Sequence, residues 1–142
     1  MSLFDAMSVS ATGMSAQRTR AELLVENLAN SDTTRTPEGG PYRRKDAVFS
    51  PIGVTSPFGS FFQKELGTGV EVSEIQVDQR DPDKRYMPGH PDADAEGYVA
   101  IPRMNPAEDM VDLITASRGY QANIAAMTAV KDMITKSIDL LR

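Results

Sequence analysis

The chain has 142 residues, 40% of them hydrophobic, and carries 15 Lys and Arg against 20 Asp and Glu, a net charge of −5. That length suffices for one domain with its own core, and the negative balance argues against a partner that must have many phosphates neutralised or against an anionic lipid surface. Cysteine is absent, which excludes disulfides, thiolate nucleophiles and thiolate zinc sites.

The opening residues, Met1 to Ala6, place no basic segment before an apolar one, so no ordinary signal peptide is expected. No run approaches the ~18 apolar residues of a membrane span, and direct membrane insertion is not expected. From about Ser2 to Ala29 the sequence predicts a helix. Phe4, Met7, Ala11, Met14, Arg18, Ala21, Val25 and Leu28 alternate three and four apart, a heptad seam with one polar interruption. Leu3 and Leu24 widen it to a broad apolar face. Asp5, Gln17, Arg20, Glu22 and Glu26 make up the opposite, polar face. Gly13 sits inside the helix, where glycine costs about 1 kcal/mol relative to alanine.

Residues 31–104 follow another grammar. Ser31 to Pro41 is a loop by composition. Tyr42 to Phe49 predicts a short strand. Val70 to Val77 alternates better, through Val70, Val72, Ile75 and Val77, with a slip near Glu74. Arg80 to Gly97, rich in Pro, Asp and Gly, predicts a turn-rich connection, and Tyr98 to Ile101 a further strand closed by Pro102. The expectation is a small β-rich insertion between two long helices.

The second helix, 105–142, has a well-marked start. Asn105 is a good N-cap, Pro106 suits the first helical position, and Glu108 is placed for a capping box. Met110, Leu113, Ser117, Tyr120, Ile124, Met127, Lys131, Ile134, Ile138 and Leu141 again alternate three and four apart. A helix of this length spans roughly 50 Å, long for a compact domain and suited to a coiled coil or fibre. The two stripes admit two readings: an internal helix hairpin, or packing against other copies. Their length favours the second, as do the extra apolar positions Leu24, Ile114, Ala125, Ala126 and Ala129.

Chemistry finds little purchase. The single histidine, His90, lies between Pro88-Gly89 and Pro91, followed by Asp92, Asp94 and Glu96. The run resembles the opening of a calcium loop, but Arg103 stands where the bidentate Glu is needed, so a solvated turn, or a contact between subunits, is the expectation. The carboxylate pairs Asp81/Asp83 and Asp92/Asp94 sit in polar loops, without the burial that acid catalysis requires. Arg43-Arg44-Lys45 is more consistent with a solvated face or an acidic neighbour than with nucleic acid. No cofactor, metal or catalytic site is expected.

Asn27-Leu28-Ala29-Asn30, continuing into Ser31-Asp32-Thr33-Thr34-Arg35, resembles the motif that ends the first helix of the flagellar rod and hook axial proteins. Ser117-Arg118-Gly119-Tyr120-Gln121-Ala122-Asn123 is similar to their C-terminal signature, with Gly119 where many relatives carry a bulkier residue. Thr36 to Tyr42 and Gly89 to Asp94 resemble the proximal-rod members. The resemblance covers essentially the whole chain and implies a mainly α fold with a small β-rich insertion. The end helices, 1–30 and 105–142, would pack as a coiled coil in an assembled rod. It implies a structural subunit and no enzyme, exported by the flagellar type III apparatus without a cleaved signal, polymerising in the periplasm and transmitting torque from the MS ring to distal rod, hook and filament. The partners implied are other copies, the proximal-rod proteins FlgB and FlgF, the distal-rod protein FlgG and the MS-ring adaptor FliE. The alternative is a soluble coiled-coil adaptor or flagellar export chaperone, which would form a discrete dimer and no large assembly.

Overall fold

A computed structural model describes residues 3–52 and 69–140. Two long helices, α1 (Leu3–Ala29, 27 residues) and α2 (Pro106–Asp139, 34 residues), enclose the β segments in sequence. The helices start and stop where local chemistry directs. The Asn105 side chain accepts the Ala107 N–H at 3.1 Å, satisfying one orphan donor at the start of α2, and Pro106 opens the first turn. Glu108 takes the side-chain amide of Asn105 at 3.1 Å. It thus braces the cap from the side-chain end, where the sequence pattern implied a return to the cap's own backbone.

The β segments form two separate hairpins. In the first, β1 (Lys45–Pro51) pairs antiparallel with β2 (Val70–Val77). The slip read near Glu74 is real: Val48 pairs with Glu74 and Phe49 with Val72, leaving Ser73 as the extra residue of a bulge. The Ser73 hydroxyl donates to the Val48 carbonyl across the irregularity. In the second, β3 (Asp83–Tyr86) pairs antiparallel with β4 (Tyr98–Ile101). β4 was expected; β3 corrects the expectation of a bare turn-rich connection. Its four residues are all exposed, so no inward–outward alternation marks it in the sequence. It is held by its partner strand and by an edge-on contact of Tyr86 with Tyr98, ring centroids 5.4 Å apart.

The first hairpin lies along α1. Asn27 holds Lys45 at one end, and Thr12 accepts the Val70 N–H at 3.2 Å at the other. Fifteen helical residues and a seven-residue strand both cover about 20 Å, so helix and strand match in length. Gly69 lets the backbone come this close, because a Cβ there would lie 2.5 Å from the Thr12 hydroxyl. Leu23 and Leu24 are buried, bordering a cleft shared with Ala47 and Phe49. Tyr42 and Val99 complete the small core at this end.

The two helices pack on each other and run antiparallel: Gly13 lies against Asn123, Gln17 against Gly119, and Arg20 reaches Asp112 at 3.6 Å. The chain therefore forms the helix hairpin that its sequence offered as the less favoured reading. The hairpin uses the predicted stripes only in part: Leu24 is buried and Leu113, Met127 and Ile134 are half-buried, while Phe4, Val25, Met110, Ile124 and Ile138 stay exposed. The buried helical positions are Ser10, Ala16, Leu23, Leu24 and Asn27 on α1, and Asp109, Ala116 and Val130 on α2. The mutual face thus includes Gln17 and Arg20, which sequence patterning assigned to solvent. Small and polar residues such as Ser10, Gly13, Gln17, Ala16 and Ala116 bring the backbones close, with Val130 the buried large apolar residue of α2.

Candidate assembly surface

The expected stripe of α2 is open to solvent along much of its length. Met110, Ile124 and Ile138 are 51%, 43% and 57% exposed, and Tyr120 is also exposed, while Leu113, Met127 and Ile134 are half-buried. Val111 and Ile114, outside the expected seam, are exposed as well. On α1, Phe4, Ala11 and Val25 are exposed, and Met7, Met14 and Leu28 half-buried. Leu141 lies outside the described residues. Isolated apolar side chains on a surface are ordinary; here they recur along a helix 34 residues long.

The first family-like motif has a mechanical role. Asn27 is fully buried. Its side-chain amide donates to the Lys45 carbonyl at 2.8 Å, and its oxygen accepts the Lys45 N–H at 3.0 Å. The amide therefore pairs with the first residue of β1 as a neighbouring strand would. The same oxygen accepts the Tyr42 hydroxyl at 3.0 Å. Asn30 ends the helix, its side chain returning to the Glu26 carbonyl at 2.9 Å while it accepts the Thr33 hydroxyl. Leu28 is half-buried and Ala29 exposed.

The second motif divides by face. Ser117, Arg118, Tyr120, Gln121 and Ala122 are exposed, whereas Asn123 turns inward and donates to the Gly119 carbonyl at 3.0 Å.

The basic cluster is consumed internally. Arg44 joins the strand region to the start of α2, donating through Nε and Nη2 to Asp109 Oδ1 at 3.1 and 2.9 Å. It also reaches Asp46 at 3.1 Å. Asp109 is 2% exposed, and among the described residues its second oxygen has no hydrogen-bond partner. Lys45 pairs with Glu26 at 2.6 Å, and Arg43 donates to the Asp78 carbonyl. Sequence reasoning missed the Arg44–Asp109 link, because residues 65 apart leave no periodic trace.

Burial pushes the Tyr42 phenol up to about 12, and the Glu26 carboxylate adds to the shift. The native state thus holds its proton where the unfolded chain has released it, so stability should fall as pH rises from about 10 through about 12. Tyr42→Phe should abolish that slope while leaving a lower plateau. Denaturant midpoints across this range check it, and an unchanged slope in the variant would remove Tyr42 as the cause.

The His90 turn is tied down. The Asp92 carboxylate accepts the Thr34 hydroxyl at 2.8 Å and pairs with Arg35, while His90 Nδ1 accepts the Asp92 N–H at 3.1 Å. These partners, the Thr34 hydroxyl foremost, hold the Asp92 carboxyl below the usual carboxylate range. Arg80 does the same to Asp78 more strongly. Such carboxylates are poor proton donors near neutrality. Among the described residues no group of three His, Asp or Glu is placed to hold a metal, and no helix is long and apolar enough to cross a membrane.

Residues 95–140 match the family model described as flagellar basal body rod FlgEFG protein C-terminal. Over its full length the chain is similar to proteins named flagellar basal-body rod protein FlgC. It is 38% identical to that of Borreliella burgdorferi, covering 100% of this chain and 99% of the relative. It is 40% identical to that of Bacillus subtilis, covering 99% of each. With that of Salmonella typhimurium the identity is 36%, over 99% of this chain and 98% of the relative. End-to-end similarity of this kind, on a chain whose two long helices keep an apolar run turned outward, places it in the FlgC family of flagellar basal-body rod proteins.

Proposed function

We propose that the chain is a non-enzymatic structural subunit of the proximal rod, in the periplasmic part of the drive shaft. There it would transmit torque from the MS ring towards distal rod, hook and filament. The observation that carries this is the division of labour between helix faces. Small and polar residues line much of the intrachain seam, and Met110, Ile114, Ile124 and Ile138 of α2 remain exposed. Burying such side chains contributes roughly 1.5–3 kcal/mol each, and neighbouring subunits would supply the burial. An open helical assembly needs this, since each copy presents one surface to a different surface of the next.

On this reading the end helices, 1–30 and 105–142, pack as a coiled coil with their neighbours, and 31–104 forms the outer layer. Neighbours would be further copies, FlgB and FlgF, the distal-rod protein FlgG and the MS-ring adaptor FliE. Delivery would be through the type III export apparatus. The tied-down His90 turn is a candidate contact between subunits.

The test replaces the chromosomal gene with an Ile124→Asp, Ile138→Asp variant and scores swimming and basal bodies by electron microscopy. Loss of swimming and rings without a completed rod are expected, while the purified variant keeps its helical circular dichroism. Complete rods and normal swimming would defeat the proposal. A discrete soluble dimer formed by the parent chain, with rods intact in its absence, would instead favour an adaptor or chaperone.

A further inference from the structure

The seam between α1 and α2 poses a problem of register. Ser10, Ala16 and Ala116 are small and buried, and small residues let helices approach without specifying where along the axis they stop. Two glycines cut notches into the seam. A Cβ on Gly13 would lie 3.0–3.2 Å from the Asn123 side-chain amide, so Asn123 occupies the notch above Gly13. A Cβ on Gly119 would lie 3.2 Å from the Gln17 side chain, so Gln17 occupies the notch above Gly119. Gly13 and Gln17 stand four apart on one helix, Gly119 and Asn123 four apart on the other. Because the helices are antiparallel, each glycine meets the other helix's amide, a reciprocal arrangement with local two-fold character.

We propose that these four residues are positioning residues, a clasp that sets the axial register of the helix pair. Asn123 donates to the Gly119 carbonyl of its own helix at 3.0 Å, which fixes its amide over Gly13. Among the described residues Gln17 Oε1 is buried there with no hydrogen-bond partner, so shape holds the side chain over Gly119. Shifting the pair by one heptad would drive both amides into helical turns that lack a notch. It would also part Arg20 from Asp112 and Arg44 from Asp109. The consequence rests on the rod reading: register decides the height at which the outward residues of α2 stand relative to α1 and the β hairpins, and hence which residues a neighbouring subunit meets.

The chain's lack of cysteine allows clean spin labelling of the full-length protein. Labels at the exposed positions Ser8→Cys and Ala107→Cys report the axial offset of the helices by pulsed dipolar spectroscopy. The labelled parent should give one narrow distance. Adding Gln17→Ala and Asn123→Ala, substitutions that favour helix, should broaden that distance, the Arg44–Asp109 link still opposing a full shift of one heptad, about 10 Å at 1.5 Å per residue. Separately, Gly13→Ala should lower the denaturation midpoint, although helix propensity alone would raise it, and Asn123→Ser should recover part of the loss. One unchanged distance in the double-alanine protein, no single distance in the parent, or a raised midpoint for Gly13→Ala would each overturn the clasp. Rod assembly is not involved in these measurements, so their failure leaves the rod reading standing.

Discussion

Replacing Arg44 with alanine should destabilise the fold by about 3–5 kcal/mol, the usual cost of leaving a buried charge without its partner. The carboxylate left behind belongs to Asp109, whose side chain is 1% exposed and which, among the described residues, takes its side-chain hydrogen bonds from Arg44 Nε and Nη2. Water cannot take their place without opening the start of α2. The effect should be asymmetric. Asp109→Ala strands an arginine that is 26% exposed and still faces Asp46, so it should cost less. Urea unfolding of the purified full-length chain measures both. A loss under about 1 kcal/mol for Arg44→Ala would mean that this link does not hold the strand region to α2. Because a domain of this size is stable by only about 5–15 kcal/mol, the expected loss could be enough to unfold it at physiological temperature.

The second large effect is expected at Asn27. Alanine there removes three hydrogen bonds at once: to the Lys45 N–H, the Lys45 carbonyl and the Tyr42 hydroxyl. At about 1 kcal/mol net each, the loss is about 3 kcal/mol, and the cavity left by a fully buried side chain adds to it. Asn27→Asp keeps the shape but sets an acceptor against the Lys45 carbonyl in place of the amide that donates to it. It should therefore be no milder than alanine. Denaturant titration of both variants decides the matter. Full stability in Asn27→Asp would show that shape alone matters, and the strand-like pairing with Lys45 would have to be abandoned.

Both residues illustrate how far sequence reasoning reaches. Asn27 was singled out as part of a motif near the end of a helix, but its work, receiving the returning chain at Lys45, depends on a fold-back of 18 residues. Arg44 was noticed only as one of three basic neighbours. Its partner is 65 residues away and itself looks like an ordinary first-turn acid of α2. Charge and periodicity describe neighbours along the chain, and such contacts are made by neighbours across it. The strand β3 escaped for a related reason, since four exposed residues show no alternation and are defined by their pairing with β4.

The heptads deserve the same accounting. Apolar spacing located both long helices, the Asn105-Pro106 cap fixed the start of α2, and irregular alternation located the β2 bulge. These follow from interactions within a few residues, and the sequence alone determines them. Which helix face pairs inside the chain was decided elsewhere. A second heptad-spaced set, Ser10, Gly13, Gln17, Arg20, Leu24 and Asn27, runs beside the apolar one. The chain closes on this set because small side chains let the backbones approach, Arg20 reaches Asp112 and Gln17 seats over Gly119, while Asn27 at its end receives Lys45. Hydrophobicity marks the surfaces that must be buried somewhere; only the tertiary structure, by matching notch to amide and charge to charge, settles which are satisfied within the chain and which are left for its neighbours.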